Sequence, residues 1–139
     1  MTTNEINAYI AGIFDGEGCI GIYRRVRVDR KNPEYPCELR ISNTNKNVIE
    51  FIKRHFKEGL VYTWIGRSST RRQMWSWEVR GKKAMNFLQT VYPYLVIKKD
   101  QAKIAIEFVK RFRKNARGRT PAEIQWADAQ VTQIGALKH

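Results

Sequence analysis

From Asn4 to about Asp15 the apolar residues Ile6, Tyr9, Ile10, Ile13 and Phe14 recur at spacings of three and four. That period predicts an amphipathic helix, with Thr3 or Asn4 as its cap. Residues 20 to 28 change period. Ile20, Ile22, Val26 and Val28 alternate with Gly21, Tyr23, Arg25 and Arg27, and Arg24 is the one defect, so the stretch reads as a strand with a basic face. After a turn through Arg30, Lys31, Asn32 and Pro33, a second strand near 37 to 43 sets Cys37, Leu39 and Ile41 against Glu38, Arg40 and Ser42. Thr44 or Asn45 then caps a helix to about Lys57, with Val48, Ile49, Phe51, Ile52 and Phe56 as its stripe and Gly59 as its stop.

The order then repeats. Leu60 to Ser68 and Arg72 to Arg80 read as a second hairpin in which Trp75, Trp77 and Val79 alternate with Met74, Ser76, Glu78 and Arg80. Alternation with polar residues assigns Trp64, Trp75 and Trp77 to the core rather than to a base-stacking platform. A helix follows from Lys82 to about Tyr92, broken by Pro93, and another starts after Lys99 or Asp100. Thr120 as cap, Pro121 at the first position and Glu123 at the third predict a last helix. Two hairpins in one antiparallel sheet, with helices packed on one face, make an α+β fold. We expect one domain over 1–139, with a basic connector and C-terminal helix over 116–139. The other face of the sheet then carries Tyr23, Arg25, Arg27, Arg40 and Arg80, and a twisted ribbon of that kind can lie in a major groove.

Charge narrows the partner. The chain has 26 Lys and Arg against 13 Asp and Glu, a formal net charge of +13, which predicts a polyanion and nucleic acid first. No apolar stretch is long enough to span a bilayer, so no membrane is expected, and the opening MTTNEINAY lacks the pattern of a secretory signal. An intracellular, non-secreted protein is the expectation. Cys19 and Cys37 with His55 and His139 offer no zinc-ligand spacing, and the strand phases put the cysteines on opposite faces of one hairpin. The connector KRFRKNARGR, Lys110 to Arg119, carries six basic residues in ten and no acid, which favours phosphate contact.

Beside the greasy face of the first helix runs a second stripe, Ala8, Ala11, Gly12 and Asp15, nearly bare of side chains. Small residues let another helix approach closely, so this stripe is expected at a helix-to-helix contact. Asp15 and Glu17, two residues apart, are separated by about 200° around a helix axis and cannot both face one ion. Asp15 goes with the contact; Glu17, past the helix end, points toward the basic face. One carboxylate per chain makes a poor magnesium site unless phosphates and water complete the oxygen shell, and two chains would supply two.

The stretch IAGIFDGEG, Ile10 to Gly18, resembles the LAGLIDADG motif of homing endonucleases, with Glu17 in place of the second Asp. The order of elements also resembles that family's domain, as does the segment P-x-L-x-x-K-x-x-Q at Pro93, Leu95, Lys98 and Gln101. The resemblance implies an αββαββα homing-endonuclease-like domain, with an antiparallel saddle-shaped sheet and helices on one face. It implies a homodimer, since one motif is present, that cuts a long pseudo-palindromic double-stranded DNA site with Mg²⁺, for which Mn²⁺ can substitute. Glu17 is then the metal ligand and the Gly16 carbonyl a second oxygen ligand. Lys98 stabilises charge at the phosphate, and Asn45 falls where the family often positions the attacking water. Where some relatives carry a further basic residue this chain has Ile49, with Lys46 or Lys99 as substitutes. Tyr23, Arg25, Arg27, Arg40, Ser42, Arg67, Arg72, Arg80, Arg117 and Arg119 are the expected DNA contacts. The alternative is a non-cleaving DNA- or RNA-binding protein on the same scaffold, a maturase or regulator.

Overall fold

A computed structural model describes residues 1–66, 71–112 and 119–138. Helix α1 spans Thr3–Glu17, and its cap is Thr2 rather than Thr3 or Asn4. The reason is reciprocal. Thr2 Oγ1 accepts from the Glu5 amide at 3.1 Å while Glu5 Oε1 accepts from the Thr2 amide at 2.8 Å, and only Thr2 has a Glu three residues on. The helix also runs further than expected and includes Glu17. Gly18 then turns the chain directly into strand β1, Gly18–Ile22. A Cβ on Gly18 would lie 2.3 Å from the Phe14 ring and 2.6 Å from the Phe14 carbonyl oxygen, so only glycine lets the strand leave this close to the helix.

β1 pairs antiparallel with β2, Cys37–Asn43. Helix α2, Lys46–His55, leads to β3, Leu60–Ile65, and β4, Gln73–Arg80. The four strands lie in the order β1-β2-β4-β3. Helix α3, Gly81–Val91, gives way at Pro93 to a 3₁₀ turn, Tyr92–Tyr94, before α4, Lys99–Arg111, and α5, Pro121–Ala136. Ile20, Leu39, Ile41 and Trp77 from the sheet are fully buried against Ile10, Phe14, Ile49, Ile52 and Leu88 from the helices. Each such side chain contributes about 1.5–3 kcal/mol of transfer free energy. Trp77 stands at the centre, with its ring 4.9 Å from that of Phe87 and its indole N–H donating to the Glu58 carbonyl at 3.1 Å.

Two expectations fail for reasons of neighbourhood. The first strand stops at Ile22 and not at Val28; Val26 and Val28 are exposed, at 74% and 108%. Beyond Ile22 the chain faces Pro36, which offers Tyr23 a carbonyl but has no N–H to return, and only an isolated bridge between Arg25 and Glu34 continues the pairing. Trp64 lies on the open side of the sheet, 41% exposed, with its indole N–H 3.0 Å from Ser76 Oγ. Period two places it correctly relative to Met74 across the strand pair, but an edge strand with no helix above it has no core for either face. The opposite placement of the cysteines holds: Cys19 is exposed and Cys37 buried.

Helix α5 is fastened to the loop between β1 and β2. Asp128 accepts from Tyr35 Oη at 2.6 Å and from Arg24 Nη1 at 2.7 Å. Burial and the bond to Asp128 push the Tyr35 phenol up to about 12. Arg119, expected at phosphate, is instead buried: it donates to the Pro33 carbonyl at 2.6 Å and lies 4.0 Å from the centre of the Phe112 ring. Its charge is spent on the fold. Among the described residues no helix is long and apolar enough to cross a membrane.

Gly18→Ala should lower stability by about 1–3 kcal/mol through forced movement of Phe14. Gly135→Ala, inside α5 with open space where its Cβ would lie, should raise it by about 0.5–1 kcal/mol. Urea melts of the two variants beside the parent protein check both signs.

Candidate functional site

The C-terminal end of α1 gathers the expected site. Glu17 is exposed, and one of its oxygens, Oε2, accepts from Asn43 Nδ2 at 2.5 Å. Asn43 Oδ1 in turn accepts from the Asn45 amide at 2.7 Å. A backbone N–H can bind only the oxygen end of a carboxamide, so this second bond fixes which way Asn43 points and presents its NH₂ to Glu17. Asn45 is the cap of α2, and its Oδ1 accepts from the Asn47 amide at 2.9 Å. One lone pair of its carboxamide oxygen is thus used within α2, and Asn43 is the asparagine that touches the acid. Sequence reasoning missed Asn43. The available signal was its parity, since a polar residue follows Cys37, Leu39 and Ile41 in the buried phase of β2.

Asp15 has a different partner from the one expected. It is 9% exposed, and its two carboxylate oxygens accept from the backbone amides of Val96 and Lys98 at 2.7 and 3.0 Å. It holds the segment before α4 of its own chain. Lys98 completes the clasp by donating from Nζ to the Asp15 carbonyl at 2.8 Å. That carbonyl is one of the last in α1, which no amide of the helix can satisfy. The lysine ammonium thus sits against the negative end of the helix dipole, two residues before Glu17. The Gly16 carbonyl belongs to the same unsatisfied turn.

The small-residue stripe divides. Ala11 is fully buried and Asp15 nearly so, while Ala8 and Gly12 are exposed. The bare outer line of α1 is Ala8, Gly12 and Gly16, four residues apart, and a Cβ at either glycine would meet nothing within 4 Å. Val96, whose amide bonds Asp15, and Ile97 are 82% and 69% exposed, so large apolar side chains are open to solvent in the segment clasped to this end of α1.

Arg40, Ser42 and Arg80 lie on the face of the sheet away from the helices, as their phase requires. Ser42 Oγ and Ser76 Oγ are 2.7 Å apart. Arg40 and Arg80 are paired with Glu78 and Glu38. Burial alone would push the Glu78 carboxyl up, but hydrogen bonds from Tyr62 and Arg80 and the charge of Arg40 outweigh it and hold it below the usual carboxylate value. Tyr23 and Arg72 are exposed. Arg25 and Arg27 lie beyond β1 and converge on Glu34, at 2.6 and 3.8 Å; the hydrogen bond from Arg25 holds the Glu34 carboxyl below its usual range. Arg67 and Arg117 lie outside the described residues.

Among the described residues no three or more His, Cys, Asp or Glu side chains come together as a metal cage. The donors at the helix end are one exposed carboxylate, Glu17, and one backbone carbonyl, Gly16. Hard oxygens in that number fit Mg²⁺, which keeps water and phosphate ligands and takes one or two carboxylates from protein.

No family model matches this chain, and no curated protein does. Solved structures match it. The homing endonuclease I-CvuI, in complex with the I-CreI target in 2 mM Mg with the DNA not cleaved, aligns with TM-score 0.82 and 21% identity over 98% of this chain and 83% of its own. The archaeal intron-encoded homing endonuclease I-Vdi141I complexed with DNA aligns with TM-score 0.83 and 17% identity over 99% of this chain and 87% of its own. The LAGLIDADG homing endonuclease I-SmaMI, bound to cleaved DNA, aligns with TM-score 0.67 and 14% identity over 92% of this chain but 42% of its own. The chain has the LAGLIDADG homing-endonuclease fold.

Asp15→Asn would set an NH₂ group against one of the two backbone amides that the carboxylate now accepts. A loss of about 1–3 kcal/mol is expected, read as a lower melting temperature than that of the parent protein.

Proposed function

We propose that this chain is a homodimeric, site-specific DNA endonuclease that hydrolyses one phosphodiester in each strand of a long, roughly palindromic target. The observation that carries the reading is the end of α1, where an exposed Glu17 is held by Asn43 and the Lys98 ammonium bonds the Asp15 carbonyl of the same turn, on a helix whose outer side is bare. Neighbours of the same fold are homing endonucleases in complex with DNA, which supports double-stranded DNA as the partner. Two I-CvuI complexes with DNA were obtained in 2 mM Mg and in 2 mM Ca, in keeping with a divalent cation here.

Glu17 and the Gly16 carbonyl would hold Mg²⁺, or Mn²⁺ in its place. When bound, the cation supplies Lewis-acid stabilisation of charge at the phosphate. Asn43 restrains the Glu17 carboxylate, and hydrogen-bonded orientation of a ligand is worth about 10–100-fold in affinity or activity at metal sites. Lys98 offsets negative charge gathering at the phosphate. Arg40, Arg80, Tyr23 and Ser42 on the open side, with Arg25, Arg27, Arg72, Arg67 and Arg117, are the candidate DNA contacts; Arg119 is withdrawn from that set because it is buried in the fold.

The outer line of α1 supports the dimer. Ala8, Gly12 and Gly16 admit a second helix closely, and Val96 and Ile97 gain burial beside it. Two copies so arranged bring two Glu17 carboxylates together. I-SmaMI, of which this chain covers 42%, has length for a second such unit in one chain. One observation favours a second reading, a non-cleaving nucleic-acid binder: Asn45 Oδ1 is committed to its helix, and Ile49 is buried and apolar.

Glu17→Gln should reduce cleavage more than about a hundredfold while sparing binding, measured by gel shift and by nicking of a target drawn from a duplex library. Binding by the parent protein with no cleavage in Mg²⁺ or Mn²⁺ would select the second reading instead. Gly12→Leu should give a folded monomer, and a variant that still sediments as a dimer would refute this interface.

A further inference from the structure

The open side of the sheet carries acids where a surface built only to attract phosphate needs none. Glu38 and Arg40 of β2 stand directly opposite Arg80 and Glu78 of β4, so opposite charges face one another across the strands. Glu78 is the hub. It is 8% exposed, and it accepts from Arg40 Nη2 at 3.3 Å, from Arg80 Nε and Nη2 at 3.3 and 3.0 Å, and from the Tyr62 hydroxyl. Arg80 Nε also lies 3.0 Å from Glu38 Oε1. The two arginine side chains remain 53% and 60% exposed.

A buried carboxylate at this place weakens attraction to phosphate in general. It constrains how the arginines are presented. A free arginine samples many rotamers and can meet a phosphate or several base edges, whereas a tethered one offers its remaining donors in one orientation. These bonds use Nη2 of Arg40 and Nε and Nη2 of Arg80, out of five N–H donors on each guanidinium. Donors remain for the two acceptors that guanine presents in a major groove.

We propose that Glu78 is a positioning residue for base recognition, holding Arg40 and Arg80 so that they select guanine-containing steps without itself touching DNA. The proposal rests on the DNA-recognition reading above. The test is selection from a randomised duplex library by the full-length protein in Ca²⁺, comparing parent, Glu78→Gln and Glu38→Gln, with melting temperatures recorded for each. Glu78→Gln should relax preference on the order of tenfold at the positions read by Arg40 and Arg80 and bind random duplex more tightly. Glu38→Gln removes one of the two acids on Arg80 and leaves Glu78 holding both arginines, so it should relax preference less, and only at the positions read by Arg80. An unchanged preference in Glu78→Gln, or weakening of every sequence alike with a lower melting temperature, would overturn the proposal. Should Glu78→Gln fail to fold, the same selection is run on Glu78→Asp, whose shorter side chain draws the carboxylate away from Arg40 and Arg80, and an unchanged preference there overturns the proposal. A parent protein that enriches no sequence overturns the DNA-recognition reading, and the role of Glu78 with it.

Discussion

The clasp between Asp15 and the segment before α4 sets the rest of the site. A carboxylate that is 9% exposed must have its lone pairs met, and two backbone amides from residues 96 and 98 meet them. Lys98 then returns a bond to the Asp15 carbonyl, so the last turn of α1 and the first of α4 hold each other. Three consequences follow from this one contact. Glu17 is presented at the exposed end of a restrained helix, the Lys98 ammonium is bonded to the same turn, and Val96 and Ile97 are left open to solvent in the clasped segment.

The same end of the helix explains why its glycines differ in meaning. Gly18 is required from within, because the Phe14 ring and carbonyl occupy the space a side chain would take. Gly12 and Gly16 are not required by anything in their own chain, since a Cβ there would meet open space. An interior helix glycine costs about 0.5–1 kcal/mol relative to alanine. Gly12 bears that cost on an exposed line that Ala8 and Gly16 continue, which is the physical case for the second helix proposed above.

Net charge and local charge tell different stories. A formal +13 describes long-range attraction to a polyanion, yet several arginines expected to face that polyanion are engaged by acids of their own chain. Arg40 and Arg80 meet Glu78 and Glu38, Arg25 and Arg27 meet Glu34, and Arg119 is closed into the interior against Pro33 and Phe112. Attraction is then left to the remaining lysines and arginines, while the paired ones are fixed in direction. Under the proposed DNA reading, the pairing would trade general affinity for geometry.

Period and punctuation determined much of the molecule. The helices, β2, β4, the Pro93 break and the opposite placement of Cys19 and Cys37 were legible because side-chain period and the backbone limits of proline and glycine act locally. Glu17, Gly16 and Lys98 were legible as a set through the resemblance of their segments to a known motif. Tertiary structure decided whatever depends on what lies above a face. Val26, Val28 and Trp64 have strand parity but no helix over them, so they are exposed. The stripe of Ala8, Ala11, Gly12 and Asp15 was split by the clasp, and Thr2 displaced Thr3 as cap because only its partner Glu5 could reach back. Asn43, which the sequence did not single out, touches Glu17, while Asn45, expected to position water, accepts from the Asn47 amide as the cap of α2. A one-dimensional pattern states which side chains share a face, and only packing states what that face meets.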